Sequence, residues 1–210
     1  MKLYDFALAP NPRRVRMFLA EKGMTIDSVQ VNTREREQFA EDFKKVSPRS
    51  IVPVLELDDG TCIAESVAIC RYVEEIQPAP PLFGRDAKER ALVEMWNRHA
   101  ESDAYGAAAE MIRNSAPMFA DRGLPGRPGG VPQIPALVER GRQTIDGFMH
   151  YLDDHLASNA FVAGDAFSIA DITTFVTIEF SKRADYAPPA ACNHVQRWHE
   201  EIAARPSVEA

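Results

Sequence analysis

Glu65 and Ser66 stand side by side at the start of a predicted helix, and their chemistry suits an amino-acid head group. A serine at a helix N-terminus offers a hydroxyl and free backbone amides to a carboxylate, and the adjacent glutamate can accept an ammonium group. Serine is also a common N-cap residue, which gives Ser66 a purely structural alternative. The pair predicts a site for an α-amino acid group, with helix capping as the other interpretation.

Val52-Pro53 is a second candidate, because a proline in this position affects how the backbone is presented. A proline removes a donor from a sheet ladder, so Pro53 belongs at a strand start or a sheet edge. A cis bond would turn the N–H and C=O of Val52 outward, where they could pair with an extended peptide. A trans proline opening an edge strand is the commoner case and the alternative.

Asn11 is the polar, uncharged residue of the stretch APNPRRVRM, residues 9–17, which contains no Ser, Cys, Tyr or His. Asparagine is a good N-cap and proline is favoured at the first helical position, so the sequence predicts that Asn11 caps a helix beginning at Pro12. Its side-chain amide could also reach a ligand held at that helix start. The two roles are compatible.

The elements that position these residues fall into two halves. Strands are predicted over 2–8 and 26–31, and a surface helix over 34–46 with Phe39, Phe43 and Val46 facing inward. The runs VPVLEL and TCIA flank Asp59-Gly60, a strong hairpin signal, and Ser66 opens a further amphipathic helix. The result is β-α-β-α-β-β-α, a compact α/β unit with one small sheet.

The proline-rich stretch QPAPPLFGRD, 77–86, separates this unit from long helical patterns. Helices are predicted over 87–114 and 134–158, in SIADITTFVTIEFSKRAD and in HVQRWHEEIAAR, and the Gly- and Pro-rich 121–133 predicts a loop. Ser168 and Asp171 have the spacing of a helix capping box. We therefore expect two domains, 1–78 of α/β type and 86–210 all-helical.

Composition excludes several classes of protein. The 210 residues carry 31 acidic and 24 basic groups, and the net charge of -7 would repel a phosphate backbone, so nucleic acid is not expected as a partner. Neither a signal peptide nor an uncharged run of the roughly 20 residues that span a bilayer is apparent, which predicts a cytoplasmic protein without membrane contact. The three cysteines lack metal-ligand spacing, so neither a zinc site nor a disulfide framework is expected.

The stretch SPRSIVPVLELDDGTCIAESVAICRYVEE, 47–75, resembles the glutathione site of cytosolic glutathione transferases, and FVAGDAFSIADIT resembles their capping box and staple. The resemblance extends from residue 2 to about 208. It implies a thioredoxin-like domain followed by a helical domain that forms the electrophile pocket and part of a homodimer interface. Glutathione is then a co-substrate, and the expected role is detoxification.

The resemblance also implies residue roles. Val52, before a cis Pro53, would pair its backbone with the cysteinyl part of glutathione, and Glu65 and Ser66 would hold the γ-glutamyl group. Ile51 stands where many relatives place Gln or Lys near the glycyl end, so its side chain cannot supply that polar contact. Lys44 or Arg49 are the candidates to supply it instead.

The chain departs from the family in its opening turn, where Ala9 replaces the thiol-activating serine of Ser-type members, and Pro10 and Asn11 replace the Ser and Cys of the zeta-like pattern. Bacterial nu-class proteins have Thr-Pro-Asn here, and some fungal transferases also lack the usual Tyr, Ser or Cys. The nucleophile is then the thiol of glutathione itself, ionised with help from Asn11 or a held water, the helix dipole and the charges of Arg13 and Arg14.

Several alternatives follow from that departure. Tyr4, on the first strand, is a rival for activation of the thiol, and Tyr105, Met111 and Arg113 are candidates for the electrophile pocket. The expected reaction is addition of the glutathione thiolate to an electrophilic, mostly apolar small molecule. Glutathione-dependent reduction of disulfides or peroxides, and a non-catalytic binding module, are the other hypotheses.

Overall fold

A computed structural model describes all 210 residues, and its first part is a small mixed sheet flanked by helices. The strands are β1 (Lys2–Asp5), β2 (Asp27–Gln30), β3 (Val54–Glu56) and β4 (Cys62–Ala64), and the helices are α1 (Pro10–Glu21), α2 (Glu41–Val46) and α3 (Ser66–Ile76). The strand order is β2-β1-β3-β4, with β1 parallel to β2 and the other pairs antiparallel.

Helices make up the second part of the chain. They are α4 (Ala87–His99), α5 (Gly106–Ser115), α6 (Ala136–Leu156), α7 (Ile169–Ser181) and α8 (Asn193–Ala203). Between α4 and α5 the helix continues through a π-helical segment, Ala100–Tyr105, instead of breaking. The predicted fold class, an α/β unit followed by an all-helical one, is confirmed. None of the helices combines the length and apolar character needed to cross a bilayer.

The β3–β4 hairpin forms where its turn residues predict it. Gly60 adopts a φ of 84°, a conformation that costs glycine little, and the Leu57 amide donates to the Thr61 carbonyl at 2.8 Å. The register pairs Leu55 with Ile63 and sets the short strand that follows Pro53. Glu65 and the start of α3 follow directly after the second strand of this hairpin.

The start of α1 differs from the prediction. The helix begins at Pro10, with Ala9 as the N-cap residue, so the assignment of Asn11 as N-cap is wrong. Proline needs no intrahelical acceptor in the first turn, and therefore Pro10 and Pro12 both fit inside it. The Asn11 side chain lies inside the first turn instead of capping it, and its hydrogen-bond partner is Tyr105.

The single surface helix predicted over 34–46 is also wrong. Arg36 has a left-handed φ of 69° and Ala40 is extended, so a short 3-10 turn (Glu37–Phe39) precedes the six-residue α2. Phe43 is buried as predicted, whereas Phe39 is only partly buried. Because of this break, Phe39 belongs to the 3-10 turn and not to α2.

The capping box at the start of α7 is present and continues into a buried network. The Ser168 hydroxyl accepts from the Ala170 amide, and the Asp171 carboxylate accepts from the Ser168 amide at 2.9 Å. The same carboxylate accepts from the Val162 amide at 2.8 Å and from Trp198 Nε1 at 2.9 Å. Burial raises the pKa of Asp171 to about 6, although these hydrogen bonds act in the opposite direction.

We predict that Asp171→Ala lowers the free energy of unfolding by about 3 kcal/mol or more, because several buried donors lose their acceptor at about 1–3 kcal/mol each. Urea denaturation followed by circular dichroism measures the effect. Asp165→Ala, an exposed aspartate on the approach to the same helix, is the control and should change stability little. Equal losses in the two variants would contradict a structural role for the Asp171 network.

Candidate functional site

A cavity of about 780 Å³ lies between the two parts of the chain, lined by residues from the sheet unit and from the helices. All six residues predicted to form the site line it: Asn11, Ile51, Val52, Pro53, Glu65 and Ser66. They come from the first turn of α1, the segment before β3 and the start of α3. The fold thus brings together the positions that the sequence singled out separately.

The backbone at Val52 is open to a partner. The Val52-Pro53 peptide bond is cis, and neither the N–H nor the C=O of Val52 is hydrogen-bonded within the chain. By contrast, Ser47 holds the preceding residue at both backbone groups: its hydroxyl accepts from the Ile51 amide at 3.1 Å and donates to the Ile51 carbonyl at 2.9 Å. A fixed segment with one unpaired donor and one unpaired acceptor can bind an extended peptide.

The start of α3 offers a place for a carboxylate. The first intrahelical bond runs from the Ile69 amide to the Glu65 carbonyl, so the preceding amides of the first turn have no intrahelical acceptor. Ser66 is buried, and its hydroxyl accepts from Arg14, which leaves the hydroxyl hydrogen available to a ligand. The exposed Glu65 carboxylate binds Arg49 through one oxygen at 2.7 Å.

Arg14 connects the two parts of the chain beneath this site. Its side chain is only 1% exposed, and Nη1 donates to Ser66 Oγ at 3.1 Å and to Glu101 Oε1 at 2.7 Å. Its Nε and Nη2 atoms are buried without a partner. Arg13 points elsewhere: it donates to the Val208 carbonyl and lies over Phe175, so the expectation that its charge serves the site is wrong.

Asn11 holds the one unpaired backbone amide in the first turn of α1. Pro10 and Pro12 have no amide hydrogen, and the Arg13 amide donates to the Ala9 carbonyl at 3.2 Å. The Asn11 backbone amide therefore remains for a ligand at this helix start, and its side-chain amide faces Tyr105. Because the helix dipole also ends here, an anion would be stabilised next to this residue.

Tyr105 lies beside Asn11 on the helical wall of the cavity. Arg14 lies 5.3 Å from the centre of its ring and Phe180 stacks on it at 5.8 Å, which fixes the ring. Burial raises the pKa of the Tyr105 hydroxyl, while the charges of Arg14 and Arg113 and a hydrogen bond with Asn11 lower it. The net direction is upward, so the hydroxyl stays protonated at neutral pH and can donate a hydrogen bond.

Of the other residues predicted to line or serve the cavity, some lie in it and some do not. Arg113 lines it, as expected, but Met111 is fully buried in the core and its assignment to the pocket is wrong. Tyr4 lies outside the cavity and donates to Glu56 at 2.7 Å, a hydrogen bond that raises its pKa and removes it as a thiol activator. Arg49 reaches the cavity wall, whereas Lys44 pairs with Glu41 on the surface.

Sequence reasoning missed the wall formed around the loop after α5. Phe119, Arg122 and Gly126 of this loop line the cavity, together with Gln38 from the first part of the chain. A Cβ on Gly126 would lie 2.5 Å from the Arg49 carbonyl, so the loop backbone packs closely against the site. The Gly- and Pro-rich composition predicts a loop here but contains no signal for which surface the loop covers.

Comparisons with known proteins agree with this geometry. Residues 9–76 match the glutathione S-transferase N-terminal domain family, and residues 114–206 match the glutathione S-transferase C-terminal domain family. The chain is 34% identical over 214 residues to glutathione S-transferase 2 of Saccharomyces cerevisiae, covering 100% of this chain and 88% of the relative. It is 28% identical to maleylacetoacetate isomerase of Rattus norvegicus, covering 93% of this chain and 85% of that one.

Solved structures give the same result. A glutathione S-transferase domain-containing protein from Marinobacter aquaeolei superimposes with a TM-score of 0.91 at 37% identity, covering 99% of this chain and 100% of the other. Gtt2 from Saccharomyces cerevisiae superimposes with a TM-score of 0.90 at 32% identity, covering 100% and 99%. The chain belongs to the glutathione transferase family, and it is a glutathione transferase.

We predict that Arg14→Met lowers the free energy of unfolding by about 2–3 kcal/mol, because Ser66 and Glu101 lose a charged, buried donor. Arg13→Met, which loses one hydrogen bond to a backbone carbonyl, is the matched control and should cost about 1 kcal/mol. The double variant Arg14→Met/Glu101→Gln should be less destabilised than the sum of the single variants. Additive losses in urea denaturation would contradict the coupling.

Proposed function

We propose that this glutathione transferase conjugates the thiolate of glutathione to electrophilic, mostly apolar small molecules. The observation that carries the proposal is that Asn11, Val52 and Ser66, each with unpaired hydrogen-bonding capacity, line one cavity. The tripeptide would bind along Ile51, Val52 and Pro53, with its γ-glutamyl group at Glu65 and Ser66. Its sulfur would then lie at the first turn of α1.

The site has to stabilise a thiolate without a serine, cysteine or tyrosine in that turn. Lowering a thiol pKa by one unit requires about 1.4 kcal/mol of preferential stabilisation of the charged form. The helix dipole contributes about 0.3–1 kcal/mol, which is not enough. A hydrogen bond from Asn11 to the charged sulfur adds about 1.5–3 kcal/mol, and the two together suffice.

Tyr105 supplies a second donor from the opposite wall. Its hydroxyl is held beside Asn11 and stays protonated, and so it can donate to the sulfur without being deprotonated itself. Tyr105 of the π-helical segment would thus take the role of the serine or tyrosine hydroxyl that is missing after β1. The protein does not take the thiol proton onto a strong base; it lowers the energy of the anion.

The electrophile would bind on the side of the cavity formed by the helices. Apolar side chains that line this region include Phe180 of α7, together with Ile134 and Leu137 near the start of α6. These surfaces favour an apolar body, since burying apolar area is worth roughly 25 cal/mol per Å². Attack by the sulfur would form the C–S bond of the conjugate, while the leaving group of the electrophile departs with the electron pair of its bond to carbon.

The wider assignments follow from the same proposal. Residues 1–78 would form the glutathione-binding domain, and residues 86–210 the helical domain that provides the electrophile pocket and part of a homodimer interface. Family resemblance supports a detoxification role in the cytoplasm. No metal ion or nucleic acid has a part in the proposed reaction.

The first test is binding of glutathione, measured by isothermal titration at millimolar concentration, followed by parallel turnover assays with an aryl halide, a model disulfide and cumene hydroperoxide. We expect saturable binding and the highest turnover with the aryl halide. No binding would refute the glutathione site. A clear advantage for the disulfide or the hydroperoxide would favour reduction instead.

We predict that Asn11→Ala raises the pKa of bound glutathione by about one unit or more, because the sulfur loses a charged hydrogen bond. Asn11→Asp, of similar size but negative, should raise it further. Ultraviolet titration of the thiolate in the complex measures both, and kcat should fall more than glutathione affinity.

Tyr105→Phe should raise the same pKa, whereas Tyr4→Phe, whose hydroxyl lies outside the cavity, should leave it unchanged. A thiol pKa equal to that of free glutathione in the unaltered protein would support a non-catalytic binding module. Equal losses of turnover and affinity in Asn11→Ala would reduce Asn11 to a structural residue.

A further inference from the structure

The charge of the cavity differs from the charge of the protein. The chain carries a net charge of -7, yet six arginines and only two glutamates line the cavity. Both glutamates are already paired, Glu65 with Arg49 and Glu110 with Arg140. Of the cavity arginines, Arg49 alone forms an ion pair within the chain; the other five are Arg34, Arg113, Arg122, Arg127 and Arg183. An excess of unpaired positive charge in one cavity attracts an anionic ligand.

Arg113 and Arg122 stand out among these five because they are partly buried and still retain most of their donors. Arg113 makes one hydrogen bond, from Nη1 to the Arg122 carbonyl at 3.1 Å. The guanidinium of Arg122 donates none, and its Nε is buried without a partner. A guanidinium has five N–H donors in a planar fork that matches a carboxylate, so this pair has a large unused capacity for one.

Aromatic rings hold the two guanidinium groups in place. Both contact Phe119, with Arg113 at 4.7 Å and Arg122 at 5.8 Å from the centre of its ring. Arg122 also lies 5.9 Å from the ring of Phe39 in the first part of the chain. Stacking of this kind orders a guanidinium before a ligand arrives, which reduces the entropy lost on binding.

The two charges are kept close together at a cost. Burial lowers the pKa of Arg113 and that of Arg122. For Arg113, Tyr105 acts in the opposite direction and Arg122 lowers the pKa further; for Arg122, Arg36 lowers it further. No carboxylate of the chain offsets this repulsion at either residue. A bound anion would offset this repulsion between the arginines, whereas a neutral molecule would leave it in place.

The position of the pair connects it to the reaction. Tyr105, Ala109 and Arg113 follow one another at intervals of four residues, line the cavity together, and the charge of Arg113 acts on the Tyr105 hydroxyl. A single small molecule can therefore touch the Arg113 end while its reactive carbon lies at Asn11 and Tyr105. Apart from Tyr105, which would face the sulfur, the residues assigned to glutathione come from the first part of the chain.

We propose that Arg113 and Arg122 form a carboxylate-binding subsite for the second substrate, so that the preferred electrophile is an organic acid with an apolar body. This inference rests on the proposed function, whose electrophile it narrows. Glutathione itself carries a glycyl carboxylate, which is the competing source of the same chemistry, and the experiment has to separate the two.

Two aryl chlorides that differ only in having a carboxylate or a nitro group at one position test the proposal. In 4-chloro-3-nitrobenzoate a carboxylate occupies the position that a nitro group occupies in 1-chloro-2,4-dinitrobenzene. With either compound the thiolate forms a C–S bond to the ring and chloride leaves with the electron pair of the C–Cl bond, while the carboxylate takes no part. Affinities of the two synthetic conjugates, S-(4-carboxy-2-nitrophenyl)glutathione and S-(2,4-dinitrophenyl)glutathione, provide a readout that needs no turnover.

Arg113→Met and Arg122→Met should each weaken binding of the carboxylated conjugate, and lower kcat/KM for the chlorobenzoate, by about tenfold or more. Binding of the dinitrophenyl conjugate and of glutathione should change less than about twofold. Arg113→Lys, which keeps the charge but not the fork, should recover part of the loss. Arg142→Met is the control: Arg142 stacks on Tyr186 without an ion pair and lies outside the cavity, and no affinity should change.

Three outcomes would overturn the proposal. Equal losses for the two conjugates would show that the arginines only shape the cavity, and thermal unfolding of each variant would identify a folding defect. Weaker binding of glutathione itself, without discrimination between the conjugates, would assign the pair to the glycyl carboxylate. If neither conjugate binds the unaltered protein while glutathione still does, the cavity has no electrophile site of this kind and the proposal fails. If glutathione does not bind either, the proposed function is refuted.

Discussion

The buried guanidinium of Arg14 is the interaction on which the two parts of the molecule depend. It reaches from α1 to Ser66 at the start of α3 and to Glu101 in the helical domain. A charge this deeply buried is tolerated only when it is paired, so the helices that provide its partners must dock in one arrangement. The same docking encloses the cavity, so the cavity geometry depends on Arg14 together with the other contacts between the two parts, such as that of Arg205 with Glu21.

The opening turn of α1 shows how a short sequence can prepare an anion site without a reactive side chain. Pro10 and Pro12 leave Asn11 with the one unpaired backbone amide of that turn, and its side chain faces Tyr105 because Ala9 is the N-cap residue. Tyr105 approaches from the opposite wall. In the proposed reaction the site orients dipoles toward the sulfur in advance, which stabilises charge without reorganisation during the reaction.

Local signals in the sequence account for much of the fold and for part of the site. The Asp59-Gly60 hairpin, the Ser168 capping box and the start of α3 at Ser66 depend on neighbouring residues, and all three were predictable. The start of α1 was missed because two prolines fit equally well inside the first turn. Met111 and Arg113 could not be told apart as core and cavity residues, since a helix in contact with protein on several sides gives no single periodicity.

The π-helical segment Ala100–Tyr105 determines in which direction around the helix axis the side chains of the following α5 point. Glu101, which meets Arg14, and Tyr105, which meets Asn11, both belong to it. Because a π-helical turn holds more residues than an α-helical turn, a regular α-helix over this segment would place Glu101 and Tyr105 at a different angle around the helix axis and separate their two contacts. The number of residues in this segment, as much as their identity, thus decides which chemistry faces the substrate.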